Sequence, residues 1–455
     1  MTVTLPALPP PAELRVPEWV ERTLPSGLTV IVVRRSSVPM VELRLRVPFG
    51  RAPLPTAEVL AETLLSGTDS MSNIDIAAEL QSIGGSLAAS VDPDRLLVSG
   101  SGLVTGVDRL LGMLAHVLTG ATYPESEVVA ERDRLADRIR VARTQPSFLA
   151  RAALLRRMYG DHPYAVQTPD PEQVLAVGRQ SLLDLHAERV HPAGATLVLV
   201  GDIDPQRALD EVEGALAGWD GAGAPAELPP VPPLSPGPLV LADRPGSVQS
   251  SLRLALPAVP RTHPDHAHLQ LANLIFGGYF SSRWVENIRE DKGYTYGPHS
   301  TIEHLAAGSA LVVAADVATE VTAPALLETV YELGRIASLP PRPDELEQAR
   351  TYALGTLQLR ISTQAGLANL ASAYAGSGLR LDHLASYSGA VSRATVEDVA
   401  AAAGTYLAPA RAVTVVLGDA ERVEPALSRL LPVVRDETAA SSAAAPGDPP
   451  GGTAR

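Results

Sequence analysis

The 455-residue sequence contains no cysteine. Disulfides, thiolate metal sites and cysteine nucleophiles are thereby excluded, and the composition is compatible with a reducing cytoplasm. No stretch of about 20 residues is apolar enough to span a bilayer. The longest apolar runs, Thr196 to Val200 and Ala310 to Ala315, have strand length and β-branched content and belong in a sheet core. The N-terminal MTVTLPALPPPAELRVPEW has neither a basic start nor an uninterrupted apolar run, so no signal peptide is expected. Basic residues are the minority, 37 Lys and Arg against 51 Asp and Glu, and the net charge of -14 argues against nucleic acid or an anionic membrane as a main partner. Basic or neutral peptides match it better. Neither a Gly-x-Ser-x-Gly elbow nor a Walker-type loop occurs, which leaves a serine hydrolase or a nucleotide enzyme without support.

What is present is a duplication. ATLVLVGDIDPQRALDEVEGAL, from Ala195 to Leu216, resembles AVTVVLGDAERVEPALSRLL, from Ala412 to Leu431, as a buried strand, Gly-Asp, a short turn and a helix. YPESEVVAERDRLADRIRVA, starting at Tyr123, resembles RPDELEQARTYALGTLQLR, starting at Arg342, in its proline, acidic cap and long amphipathic helix. Both pairs are offset by roughly 220 residues, about one domain. Between the halves, DGAGAPAELPPVPPLSPGP is too rich in Pro and Gly for regular structure and reads as a semi-extended linker. The expected organisation is an N-terminal extension over 1–17, a first domain over 18–219, the linker over 220–238, a second domain over 239–433 and a disordered tail over 434–455. Strands precede helices in each half, which predicts an α+β class, two homologous domains each with a mostly antiparallel sheet covered by helices.

The segment TAEVLAETLLSGTDSMSNIDIAAELQSIGGSLAASVDPDRLLVSGSGL carries a family resemblance. Its LLSGT and IGGSLAASVDPDRLLVSG resemble the frame around the inverted zinc motif H-x-x-E-H of M16 metallopeptidases. Counting back from Gly67 and Thr68 places the motif on Glu58, Val59, Leu60, Ala61 and Glu62. Two imidazoles one turn apart would hold zinc, and the glutamate between them would deprotonate a bound water. Here both ligand positions are Glu and the base position is Ala61. The resemblance puts the third ligand, a Glu in the family, at Arg138, or at Asp137 if the register shifts by one. Glu58 and Glu62, four residues apart on a helix, suit either a solvated face or a hard cation completed by water.

In the second half, LANLIFGGYFSSRWVENIREDKGYTYGPHS resembles the second-domain signature of the same family. The resemblance implies that Arg289 and Tyr296 match an Arg and Tyr that contact substrate and steady the reacting carbonyl. It further implies the LuxS/MPP-like metallohydrolase fold and the division of labour of some bacterial M16B enzymes. On that reading the chain is a non-catalytic subunit, inactive alone, with no cofactor of its own. Its partners would be a homologous subunit carrying an intact motif with zinc, and an extended peptide substrate; the expected location is cytoplasmic. The alternative is a catalytically dead peptide-binding or scaffold homodimer. Of the remaining histidines, His263, His266 and His268 share no helical face and read as a plain helix start. His162 and Tyr164, in GDHPYA, read as architectural. Gly277 and Gly278 read as a tight turn against a neighbouring helix.

Overall fold

The computed structural model describes residues 14–221, 223 and 228–436. Two six-stranded sheets organise it, and both are built the same way. The first takes β1 (Trp19–Thr23), β2 (Thr29–Arg34), β3 (Met40–Pro48), β4 (Ser86–Asp92), β5 (Arg95–Leu103) and β6 (Thr196–Gly201) in the order β1-β2-β6-β3-β5-β4. The second takes β7 (Leu239–Asp243), β8 (Gln249–Pro257), β9 (His299–Leu305), β10 (Gly308–Ala318), β11 (Val413–Gly418) and β12 (Val433–Asp436) in the order β12-β7-β11-β8-β10-β9. In each, a parallel pair, β2 with β6 or β7 with β11, is followed by antiparallel neighbours out to the edge at β4 or β9. The α+β expectation and the duplication therefore describe the chain. The outermost strands break the match, since β1 runs antiparallel to β2 and β12 parallel to β7.

A buried arginine marks the same point in both sheets. Arg44 Nη1 donates to the Leu43 and Gly100 carbonyls, at 2.7 and 3.2 Å, and Arg253 Nη1 to those of Leu252 and Ala315, at 2.9 and 3.2 Å. Each also faces a carboxylate at 3.0 Å, Glu42 for Arg44 and Asp316 for Arg253. Charge buried this way is tolerated because it is paired and hydrogen-bonded.

The central strands read as unbroken apolar runs because both of their faces are covered. Side chains alternate along a strand. Val30 and Val32 of β2, with Leu197 and Leu199 of β6, therefore join the first half's own helices in one core. Ile31, Val33, Val198 and Val200 point the other way and meet Leu367, Leu370 and Tyr374 of the Gln364–Ala375 helix, which belongs to the second half. The exchange is reciprocal. Val413, Val415 and Leu417 of β11 meet Ala150, Leu154 and Met158 of the Pro146–Tyr159 helix from the first half. Linker residues Leu228, Val231 and Leu234 pack against that same cluster.

Polar bonds fix the exchange. Gln364 Nε2 donates to the Arg35 and Val38 carbonyls at 2.6 and 3.1 Å, and Arg151 pairs with Glu303 at 2.6 Å. Tyr164 is buried, as its architectural reading requires, and its hydroxyl links Asp94 of the first half to the Ala307 amide of the second. His162 Nδ1 accepts the Tyr164 amide, which leaves Nε2 to donate to the Pro229 carbonyl at 2.9 Å. The expected tail from 434 starts too early, because Val434 to Asp436 are held in β12 by β7; the rest of that tail, the N-terminal residues 1–13, and linker residues 222 and 224–227 lie outside the described residues. No helix among the described residues is long and apolar enough to cross a membrane.

Because each sheet relies on the other half for one cover, the halves are expected to melt together. Leu367→Ala, at a fully buried contact between halves, should lower stability by about 2–5 kcal/mol. Calorimetry should then show one transition shifted as a whole, not a separate loss of the first half.

Candidate functional site

The Glu58–Glu62 segment, read above as resembling the zinc motif, lies on the Leu54–Thr63 helix, which starts at Pro53–Leu54–Pro55 and turns Ala57, Val59, Leu60 and Ala61 into the core. Pro at the first turn costs no hydrogen bond there. Glu58 and Glu62 stand on the other face, above the Glu125–Ala142 helix and beside edge strand β4. Arg138 of the longer helix donates through Nη2 to Glu62 Oε1. Asp137 turns away to pair with Arg140 at 2.8 Å, so Arg138 is the residue that faces the motif. A guanidinium thus stands at the position where the resemblance puts a third, anionic ligand. Among the described residues, no group of three His, Cys, Asp or Glu could hold a metal ion. These side chains do not fit zinc: the carboxylate at 62 is already matched by a fixed cation, and buried Ala61 accepts no proton.

Glu58 is left as the odd charge. Burial, and then the neighbouring Glu62 carboxylate, raise its pKa to about 7, with Arg138 opposing.

The second cluster is organised from a helix that changes pitch. His266–Asn273 is α-helical, and Leu274–Gly278 continues as a π turn. Gly277 and Gly278 are needed for close approach, as expected of the Gly-Gly turn. A Cβ on Gly277 would stand 2.9 Å from Trp284 Cε3 and from Ser300 Oγ, and one on Gly278 would stand 2.9 Å from Asn273 Nδ2. Trp284 stacks on Phe276 at 5.5 Å and donates to Thr329 Oγ1 at 3.0 Å. Arg283, the arginine of the Ser-Ser-Arg segment, is structural: it grips Glu345 with two bonds of 2.8 and 2.7 Å, both side chains being buried. Burial alone would raise the Glu345 carboxyl, but the bonds from Arg283 and from the Arg342 amide outweigh it and hold the group below its ordinary value.

That anchored segment delivers Arg289 and Tyr296 to one place. The Arg289 guanidinium carbon lies 4.3 Å from the Phe280 ring centroid and 5.1 Å from that of Tyr296. Cation–π attraction on both sides restricts its rotamers. Thr295 Oγ1 donates to the Asp316 carbonyl at 2.7 Å and pins the loop that carries Tyr296 to β10. Tyr296 is 86% exposed, and with Arg289 it lines an open cavity of about 670 Å3 that also includes Gln249, Tyr294 and Asp316. No hydrogen bond or ion pair among the described residues joins this cluster to the Glu58–Glu62 helix.

Sequence reasoning brought together Arg289 with Tyr296, and Arg138 with Glu62. It missed Phe280, whose only signal was an aromatic two residues after the Gly-Gly turn. It also missed the cluster that His266 joins, where His304 of β9 lies 5.2 Å away and Tyr387 5.4 Å away; sequence spacing cannot relate those three positions.

Comparison with known proteins agrees with this layout. Residues 56–172 match the family described as insulinase (peptidase family M16), and residues 176–352 match the peptidase M16 inactive domain. An uncharacterized zinc protease of Mycobacterium leprae is 23% identical over 303 residues, 64% of this chain and 67% of that protein. One of Streptomyces coelicolor is 22% identical over 291 residues, 61% of this chain and 63% of that protein, so the match spans less than two thirds of the latter's length. Among solved structures, a peptidase M16 inactive domain from Pseudomonas fluorescens is similar at a TM-score of 0.81, with 24% identity over 88% of this chain and 98% of that one. A protease from Helicobacter pylori also reaches 0.81, at 19% identity over 88% and 99%. At such identities the structural likeness speaks for the fold.

The sign of the Glu58 effect follows from its raised pKa. Between the ordinary carboxylate value and about 7, the folded chain binds more protons at Glu58 than the unfolded chain does, so stability falls as pH rises through that window. Glu58→Gln removes this loss. Its melting temperature should exceed that of the parent at pH 8, and the gap should close toward pH 5.

Proposed function

The chain belongs to the M16 peptidase family, and on that premise we propose that it is the non-catalytic subunit of a heterodimeric M16B-type zinc metalloendopeptidase. The partner is a homologous subunit with an intact H-x-x-E-H that holds the zinc, and this chain supplies Arg289 and Tyr296 to the partner's active site. The observation that supports it most is the contrast within one chain. A guanidinium–carboxylate pair closes the motif helix, while Arg289, held more loosely by Glu290 at 3.5 Å, stands with Tyr296 on an open cavity with the phenol in solvent.

The two donors suit the work. As an attacked peptide carbonyl gains negative charge, N–H groups of Arg289 and the Tyr296 hydroxyl can donate to its oxygen. Fixed donors of this kind are worth about 3 kcal/mol each where water is excluded. Phe280 and Tyr296 hold the guanidinium before substrate arrives, so little ordering remains to be done on binding. The partner supplies metal and base; this chain contributes binding and charge stabilisation. A cytoplasmic setting for the complex is in keeping with a chain that has no cysteine.

One observation favours a second reading, a catalytically dead homodimer that captures peptides. Strand β4 is an open sheet edge beside the motif helix, and an extended peptide can add to such an edge by main-chain hydrogen bonds. Edge capture alone gives no task to Arg289 or Tyr296.

The readings separate in a reconstitution assay. The purified chain should not cleave peptides, and mixing it with a homologue carrying an intact H-x-x-E-H should restore cleavage. Arg289→Ala or Tyr296→Phe should then lower kcat in the mixture by about 100-fold, the equivalent of one lost donor. Full cleavage by the lone chain, or a mixture indifferent to both substitutions, would refute the proposal.

A further inference from the structure

A second set of cations meets where the two halves join. Arg46 of β3 projects from the sheet face that the exchanged Gln364–Ala375 helix covers, and its guanidinium lies against Gly376. A Cβ at 376 would stand 2.4 Å from Arg46 Cζ, so the guanidinium has room only because that residue is glycine. Arg261, from the turn after β8, and His304 of β9 approach from the second half. Together with Arg95, Asp92 and Asp94 they line one cavity of about 100 Å3.

The charges there do not close among themselves. Asp92 Oδ2 takes Arg95 Nε at 2.9 Å, and its Oδ1 takes the amides of Asp94 and Arg95 at 2.9 and 3.0 Å. Asp94 spends one oxygen on the Tyr164 hydroxyl and the other on the Ala306 amide at 2.8 Å. All four carboxylate oxygens are therefore engaged. Arg46 and Arg261 have no hydrogen bond or ion pair among the described residues, and each guanidinium carries five N–H donors. Burial lowers the pKa of both, and Arg95 adds its repulsion at Arg46 while the Asp92 and Asp94 charges oppose it without a direct bond. Charge taken out of water normally comes with a counter-charge. His304 is neutral, since burial and then Arg261 push its pKa down to about 3. Its Nδ1 meets Ser309 Oγ at 2.8 Å, which leaves Nε2 for another partner.

We propose that this cavity is a binding site for a compact oxyanion of phosphate or carboxylate type, gripped by Arg46 of the first half and Arg261 of the second. A drug-sized ligand needs about 300–1,000 Å3, so the space suits a single phosphate-sized ion and excludes a nucleotide. Planar guanidinium forks match oxyanion geometry. The ion supplies the counter-charge that Asp92 and Asp94 leave incomplete and ties the first sheet to the second, independently of Arg289 and Tyr296.

Orthophosphate titrated into the full chain, against chloride of equal ionic strength, tests the site by calorimetry and by melting temperature. Acetate runs in parallel to separate a tetrahedral ion from a carboxylate. Saturable binding of either, with a matching rise of a few degrees in Tm, is expected. Arg46→Met and Arg261→Met should each weaken it about 10-fold or more, the worth of one charged hydrogen bond, while melting no lower than the parent in chloride. Gly376→Ala, which displaces the Arg46 guanidinium and leaves both charges in place, should weaken binding as well. The absence of saturation with both anions, or equal binding in parent and variants, would overturn the site.

Discussion

The reciprocal exchange of helices between the halves is the constraint on which the rest of the architecture depends. Each sheet buries one face under its own helices and the other under a helix of its neighbour, as Leu367 and Leu370 over β2 and β6, and Leu154 and Met158 over β11, make plain. Strands covered on both sides favour apolar residues on both faces, which is why TLVLVG and VTVVLG carry almost no polar residue. The exchange also brings the linker, Tyr164 and the cation-lined cavity to the same junction. A change in how the halves meet would be felt at all three.

On this frame the two segments that resemble family motifs are built differently. The Glu58–Glu62 helix lies beside edge strand β4 and is tied to the Glu125–Ala142 helix. Arg138 against Glu62 is a self-sufficient pair, and Ala61 is packed as a core residue. The second joins a packed scaffold to a half-buried Arg289 and an exposed Tyr296. The buried Arg283–Glu345 pair, the Phe276–Trp284 stack and the π turn hold a segment whose working end stays open to solvent. A surface tyrosine that merely filled space would be expected to bury its ring; Tyr296 instead lends its ring to Arg289 and leaves most of its surface free.

How much of this was legible in the sequence depends on the range of the interaction. The duplication, the strand runs and the long helices are local patterns, and the two matched segment pairs became equivalent elements of the two halves. Arg289 and Tyr296, only seven residues apart, were legible through their resemblance to a family signature. The helix exchange was not, because the pattern of QAGLANLASAYA shows that it has an apolar face but not which sheet that face meets. Phe280 under Arg289 and Arg46 near Arg261 were hidden for the same reason. Each depends on a turn or a junction that brings distant residues together, and His266, read alone as a helix start, acquires its neighbours only once β9 is placed.

The central claim is that one chain brings the donors and another the metal. Metal analysis of the purified heterodimer tests it most directly. The account predicts one zinc per pair of chains, lost when the partner's H-x-x-E-H is altered and unchanged by Glu58→Gln or Glu62→Gln in this chain. Stoichiometric zinc on this chain purified alone, abolished by those same substitutions, would contradict it.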